Sequence, residues 1–168
     1  LPRADHTHLK RFLHVWTPDE LGHADAQDVL LRQLDLPTYT SRPEDAVPIH
    51  NRIAGSLGRL SHKAHDMVAM IYHTIGAINE KLAMTAYDRM AVITRDLGET
   101  ELADTLFDRM RRDEAQHLGY YRTTARRIRR YLPAWQMTMV RAFIVHTYAP
   151  VGAGDQKDKA PLGEAIEA

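Results

Sequence analysis

The chain has 168 residues, with 22 Lys and Arg set against 22 Asp and Glu and a formal net charge of zero, so its length fits one compact domain and its charge points to no partner. It contains no cysteine, which excludes disulfide frameworks, thiolate zinc sites, iron–sulfur clusters and thiol nucleophiles and leaves His, Asp and Glu to hold any metal. Its apolar runs, such as 67–72, fall far short of the roughly 20 residues a bilayer span needs, and no signal-peptide pattern opens it, so a cytoplasmic protein without a membrane span is expected.

Helical periodicity dominates, and no alternating runs bounded by Asn-Gly or Asp-Gly turns appear. The expected class is all-α. A first helix is predicted over 8–36, with Leu9, Leu13, Trp16, Glu20, His23, Leu30 and Leu34 along one stripe, stopped by Pro37. The stretch 37–48 holds three prolines among Thr, Ser and Asp and reads as a loop, with a short helix expected over 49–60. The segment 61–97 has no proline and meets Gly98, a left-handed stop, so it reads as a long buried helix. A further helix is expected over 99–131, with Leu102, Leu106, Met110, His117, Tyr121 and Ile128 inward, ended by Pro133, and a last one over 134–148. The domain therefore spans 1–150, and 151–168 is expected to be a loose tail.

Residues three apart on a helix share a face. Glu20 with His23 and Glu114 with His117 each present a carboxylate and an imidazole to one point, inside the parallel segments DELGH (19–23) and DEAQH (113–117). Glu80 interrupts the apolar face of the long helix, among His73, Gly76, Ala77, Ala83, Met84 and Tyr87, where a carboxylate is costly to bury without a partner and a cation removes that cost. Di-metal carboxylate bundles combine two Glu-x-x-His pairs with two lone glutamates. Both pairs and one lone glutamate are present, and the fourth carboxylate is expected from a helix ahead of His8. Simpler readings exist for single residues. Thr17, Pro18, Asp19 and Glu20 also form a helix start with Thr17 as cap; Glu114 has Arg111 or Arg112 as a surface partner; His117 and His73 suit a hydrogen-bonded core.

Outside this set, His62 and His65 read as surface or interface histidines. Met67, Met70, Met84, Met90 and Met110 read as core filler or as the wall of an apolar slot. The cluster Arg122, Arg126, Arg127, Arg129 and Arg130 serves either the helix dipole or an acidic or anionic partner. Nucleic acid is not expected, since the cluster lacks interleaved aromatics beyond Tyr131.

The run Trp16-Thr17-Pro18-Asp19-Glu20-Leu21-Gly22-His23 resembles the W-T-x-E-E-x-x-H segment of soluble acyl-[acyl-carrier-protein] desaturases. Glu80 stands in the place of that family's lone helix-three glutamate. Gly98 matches its helix-ending turn, and Asp113-Glu114-Ala115-Gln116-His117 resembles its D-E-x-x-H, the likeness running over about 13–148. The resemblance implies a ferritin-like helical bundle, here without its N-terminal helix, that forms a homodimer. It also implies two iron ions (manganese being the other metal suited to such a shell) ligated by Glu20, His23, Glu80, Glu114 and His117. The implied activity is O₂-dependent introduction of a double bond into a fatty acyl chain presented by acyl carrier protein, with an electron donor such as ferredoxin. The five arginines would dock the acidic carrier. The chain departs from the family at Pro18, which predicts a kink or helix start, and at Ala83, where plant-type members tend to carry threonine.

Three other functions fit the same residues. One is a ferritin-like ferroxidase. Another is a different di-iron oxygenase such as an arylamine N-oxygenase, although Met110 stands where those tend to add a histidine. The last is a degenerate homologue that partners an active subunit.

Overall fold

The computed structural model describes residues 6–33, 35 and 62–148; the helix expected over 49–60 and the tail over 151–168 lie outside them. Every regular element among the described residues is helical, as the periodicity predicts. By its contacts the chain divides into two compact units, Leu1–His65 and Asp66–Ala168.

The first unit is described through α1 (His6–Gln33), a helix of 28 residues. Leu9, Leu13, Trp16, Glu20 and Leu30 are half-buried along the predicted stripe and His23 is buried, while Val15, Leu21 and Val29 are exposed. The Phe12 and Trp16 rings, one turn apart, sit 6.2 Å from each other. Pro18 lies inside this helix, as the predicted span over 8–36 requires, and the alternative reading of Thr17 as a helix cap does not hold. Proline has no N–H for the carbonyl four residues earlier, that of His14, and such an interior position costs about 3 kcal/mol. The helix nonetheless continues for four turns beyond it. It ends where Asp35 takes a positive φ of 53° and its N–H reaches the Arg32 carbonyl at 3.2 Å, which turns the chain out of the helix before Pro37.

The second unit is built on α2 (His62–Asp96), 35 residues long. Its buried positions, Met70, His73, Glu80, Tyr87 and Ala91, recur at three-, four- and seven-residue intervals and so line one face. Gly98, with φ of 90°, closes it. The Glu99 N–H bonds the Thr94 carbonyl at 3.0 Å and the Gly98 N–H the Arg95 carbonyl at 2.9 Å, the paired bonds of a Schellman motif.

The single helix expected over 99–131 is a composite. A turn of α3 (Thr100–Leu102) leads into a π-helical stretch, Ala103–Phe107, and then α4 (Asp108–Arg129). Ala103, Phe107 and Met110 are buried there, whereas Leu102 and Leu106, expected to face inward, are only half-buried. In this wider turn the Thr105 hydroxyl donates to the Glu101 carbonyl at 2.7 Å. The Arg95 guanidinium bridges Asp104 at 2.7 Å and Asp108 at 2.9 Å, fastening the end of α2 across the π stretch.

Three basic residues, Arg126, Arg127 and Arg129, occupy the last turn of α4, where cations offset the carbonyl end of the helix dipole. Pro133 caps α5 (Ala134–Thr147). Met70, Ile128, Leu132 and Val140 form the core that joins α2, α4 and α5, with Met67, Ala125, Met137 and Ile144 packed around it. Each such aliphatic side chain contributes about 1.5–3 kcal/mol by leaving water. At the far end of α5 the Tyr148 hydroxyl donates to Asn79 Oδ1 at 2.8 Å. Of the expected core methionines, Met70 and Met110 are buried, but Met90 is exposed, because it falls off the buried face of α2.

One close approach sets how α2 and α4 sit. A Cβ added at Gly76 would lie 2.5 Å from the Tyr121 ring, well inside van der Waals contact, so only hydrogen fits between helix backbone and ring. Met70 packs near Ile128 and Gly76 against Tyr121, so position numbers rise along one helix as they fall along the other and the two run antiparallel.

Candidate metal centre

Antiparallel packing brings the next turn of α2 beyond Gly76 alongside the preceding turn of α4. That turn of α2 carries Glu80, and that of α4 carries Glu114 and His117. One ligand atom from each of these three side chains lies within 4.8 Å of the others. All three are interior: 1% of Glu114, 3% of His117 and 6% of Glu80 are exposed. His117 Nδ1 and Glu114 Oε2 are 3.0 Å apart, the convergence that a three-residue spacing on one helix face dictates. The surface reading of Glu114 is thereby overturned. Arg111 pairs with Asp88 at 3.1 Å instead.

Two carboxylates and an imidazole held together away from water are a donor set for a divalent first-row cation of intermediate hardness. Burial makes their charge expensive unless it is compensated. Iron or manganese fits that chemistry, and the absence of thiolates sets it apart from structural zinc sites.

Glu20 and His23 belong to α1 in the first unit. They share one face of that helix, three residues apart, with His23 buried and Glu20 half-buried. The second unit thus brings together Glu80, Glu114 and His117, while the α1 pair keeps the chelate spacing expected of it within its own helix.

His73, seven residues and two turns before Glu80, is 5% exposed. Its Nδ1 donates to the Ala69 carbonyl at 2.7 Å, which fixes the tautomer and leaves Nε2 as an acceptor. That atom is buried without a hydrogen-bond partner among the described residues. Desolvation pulls the imidazole below its ordinary value of 6.5, opposed only in part by the Ala69 bond, so His73 is neutral at neutral pH. The core-histidine reading holds for one nitrogen and fails for the other. Sequence reasoning also missed Gln136, buried on the packed face of α5; a lone amide in an apolar segment was the available signal.

Arg122, Arg126, Arg127, Arg129 and Arg130 are all exposed. No described helix is long and apolar enough to cross a membrane. No protein-family model, curated protein or solved structure matches this chain, so the likeness to desaturases rests on the motifs themselves.

Proposed function

We propose that this chain is a di-iron, O₂-dependent oxidoreductase of ferritin-like build, acting as a desaturase on a fatty acyl chain presented by acyl carrier protein. The observation that carries the reading is the convergence of Glu80, Glu114 and His117 within 4.8 Å in the interior of the second unit. Glu20 and His23 are the proposed second Glu-x-x-His pair, supported by their spacing on α1 and by the order of motifs along the chain. Bound iron would supply O₂ activation and an oxidant able to break an unactivated C–H bond.

The protein's own part is to hold three acidic or basic donors in a fixed geometry, to keep water away from them, and to seat an apolar chain nearby. Half-buried Ala77, Ala83 and Met84 on α2 give that surface an apolar character. The five exposed arginines of α4 and its end are the proposed docking surface for the acidic carrier protein, and an electron donor of the ferredoxin kind would complete the cycle. A homodimer is part of the same proposal.

Metal analysis after anaerobic loading with Fe(II) tests the reading. About two irons per chain, lost on Glu114→Ala, are expected, together with O₂ consumption that rises when acyl carrier protein bearing a fatty acyl chain is added. Iron binding with O₂ uptake indifferent to that substrate would point to a ferroxidase, and no iron in the wild-type chain would sink the proposal.

A further inference from the structure

The charge of the chain cancels overall but not locally. Between Leu118 and Tyr148 the sequence carries Arg122, Arg126, Arg127, Arg129, Arg130 and Arg141, and no lysine, aspartate or glutamate. All six arginines are exposed. Near the start of α4, by contrast, Arg95 meets Asp104 and Asp108, and Arg111 meets Asp88. The helix dipole accounts for only part of the cluster, because it acts within the last turn, where Arg126, Arg127 and Arg129 lie. Arg122 stands a turn earlier, and Arg141 is in the middle of α5. A face kept for solubility alone mixes both signs of charge, and this one has a single sign.

Apolar surface lies next to that charge. Tyr131, at the corner between α4 and α5, is 47% exposed, and Trp135, in the first turn of α5, is 58% exposed. Met139 and Ala142 follow Trp135 at intervals of four and three residues, so they form one line along the helix, with Val145 beside it. Met139 and Val145 are also more than half exposed, and the line faces away from the buried Gln136 and Val140. A row of this kind marks a surface that meets something other than water.

Arg130 and Trp135 are five residues apart across the Pro133 corner, so the partner must offer anionic groups and apolar depth side by side. An anionic bilayer surface does so. Its phosphates match the guanidinium fork, its acyl boundary lies just beneath them, and tyrosine and tryptophan concentrate where the two meet. An acidic protein satisfies the arginines but does not by itself call for the apolar line.

We propose that the corner between α4 and α5 seats this chain on an anionic phospholipid bilayer, with arginines among the headgroups and Trp135, Met139 and Val145 at the acyl boundary. With 14 residues, α5 is about 21 Å long, too short for a hydrocarbon core of about 30 Å, and it lies along the surface. The inference goes beyond the carrier reading, with which it shares arginines but not the apolar line, and it does not depend on bound metal.

Co-sedimentation of the full chain with vesicles tests it. Binding is expected to vesicles of phosphatidylcholine mixed with phosphatidylserine and not to phosphatidylcholine alone, and it should weaken more than tenfold from low to high salt. Arg126→Glu with Arg130→Glu should abolish it. Trp135→Ser with Met139→Ser should lower it about tenfold while leaving the circular dichroism unchanged. A second measurement leaves the apolar line intact: in a Trp16→Phe chain, fluorescence of Trp135 should be quenched by anionic vesicles whose acyl chains carry bromine. Equal binding to neutral vesicles, no binding to the anionic ones, or binding without that quenching would overturn the proposal. So would binding that the arginine reversals remove and the serine pair leaves intact, since that is the charge-only attraction an acidic carrier protein would also show. Self-association that shields Trp135 from the bromine in the presence of vesicles would assign the line to a second copy of this chain and overturn it too.

Discussion

The segments DELGH (19–23) and DEAQH (113–117) share three of five residues, yet the helices around them treat them differently. On α4, Glu114 and His117 sit on a buried stripe with Met110 and Tyr121, backed by α2 through Gly76 and Tyr121. On α1, Glu20 is half-buried and its pair follows directly on an interior proline. A shared motif therefore does not imply a shared mechanical setting. The α4 pair lies in a helix without an interior proline, and the α1 pair in a helix that has given up one of its own backbone bonds.

The largest effect is expected where the packing is tightest. Glu114→Ala should remove most of the bound iron, while Glu20→Ala should remove less and weaken affinity more than capacity, as metal analysis and Fe(II) titration would read. Equal losses would erase the contrast between the two pairs. Metal at 100 times its Kd should also stabilise the wild-type chain by about 2.7 kcal/mol against denaturant and do nothing for Glu114→Ala.

Pro18→Ala restores the missing backbone donor and should stabilise α1 by up to about 3 kcal/mol, visible as added helicity and a higher denaturant midpoint. If it also lowers iron affinity, the proline serves the geometry of Glu20 and His23 rather than merely being tolerated.

Gly76→Ala forces α2 and α4 apart and should cost about 1–3 kcal/mol, measured by chemical unfolding. Iron binding through Glu114 should fall with it, and α1 helicity should not change.

The smallest effect is on pH dependence. His73 has its proton affinity lowered by folding, so the unfolded chain binds more protons below pH 6.5 and stability falls as pH drops from there toward the folded value. His73→Gln should flatten that part of the stability profile. A wild-type curve already flat across the window would mean that His73 is solvated in solution.

Much of this architecture is legible in the residues because its signals are local. Gly98 announces the Schellman stop, Pro133 the corner before α5, and the Glu-x-x-His spacing the convergence of Glu114 and His117. What could not be read depends on neighbours. Ala103 carries too little apolar weight to outrank Leu102 and Leu106, yet the packing places it inside. No residue type marks the π stretch, since nothing in Ala103–Phe107 is a breaker. Pro18 offered a strong local signal for a helix start as an alternative, and the long helix expected over 8–36 runs through it.

The fit of Tyr121 over Gly76 also has a consequence for inheritance. Two positions 45 apart in sequence occupy one volume, so neither can drift alone. A side chain gained at 76 is tolerable only if the ring at 121 shrinks. The coupled change would dismantle the contact between the Tyr72 and Tyr121 hydroxyls, whose oxygens are 3.4 Å apart, in the same step. In descendants of this chain the two sites should be kept together or lost together, and a double-mutant cycle across Gly76→Ala and Tyr121→Leu should show strong non-additivity.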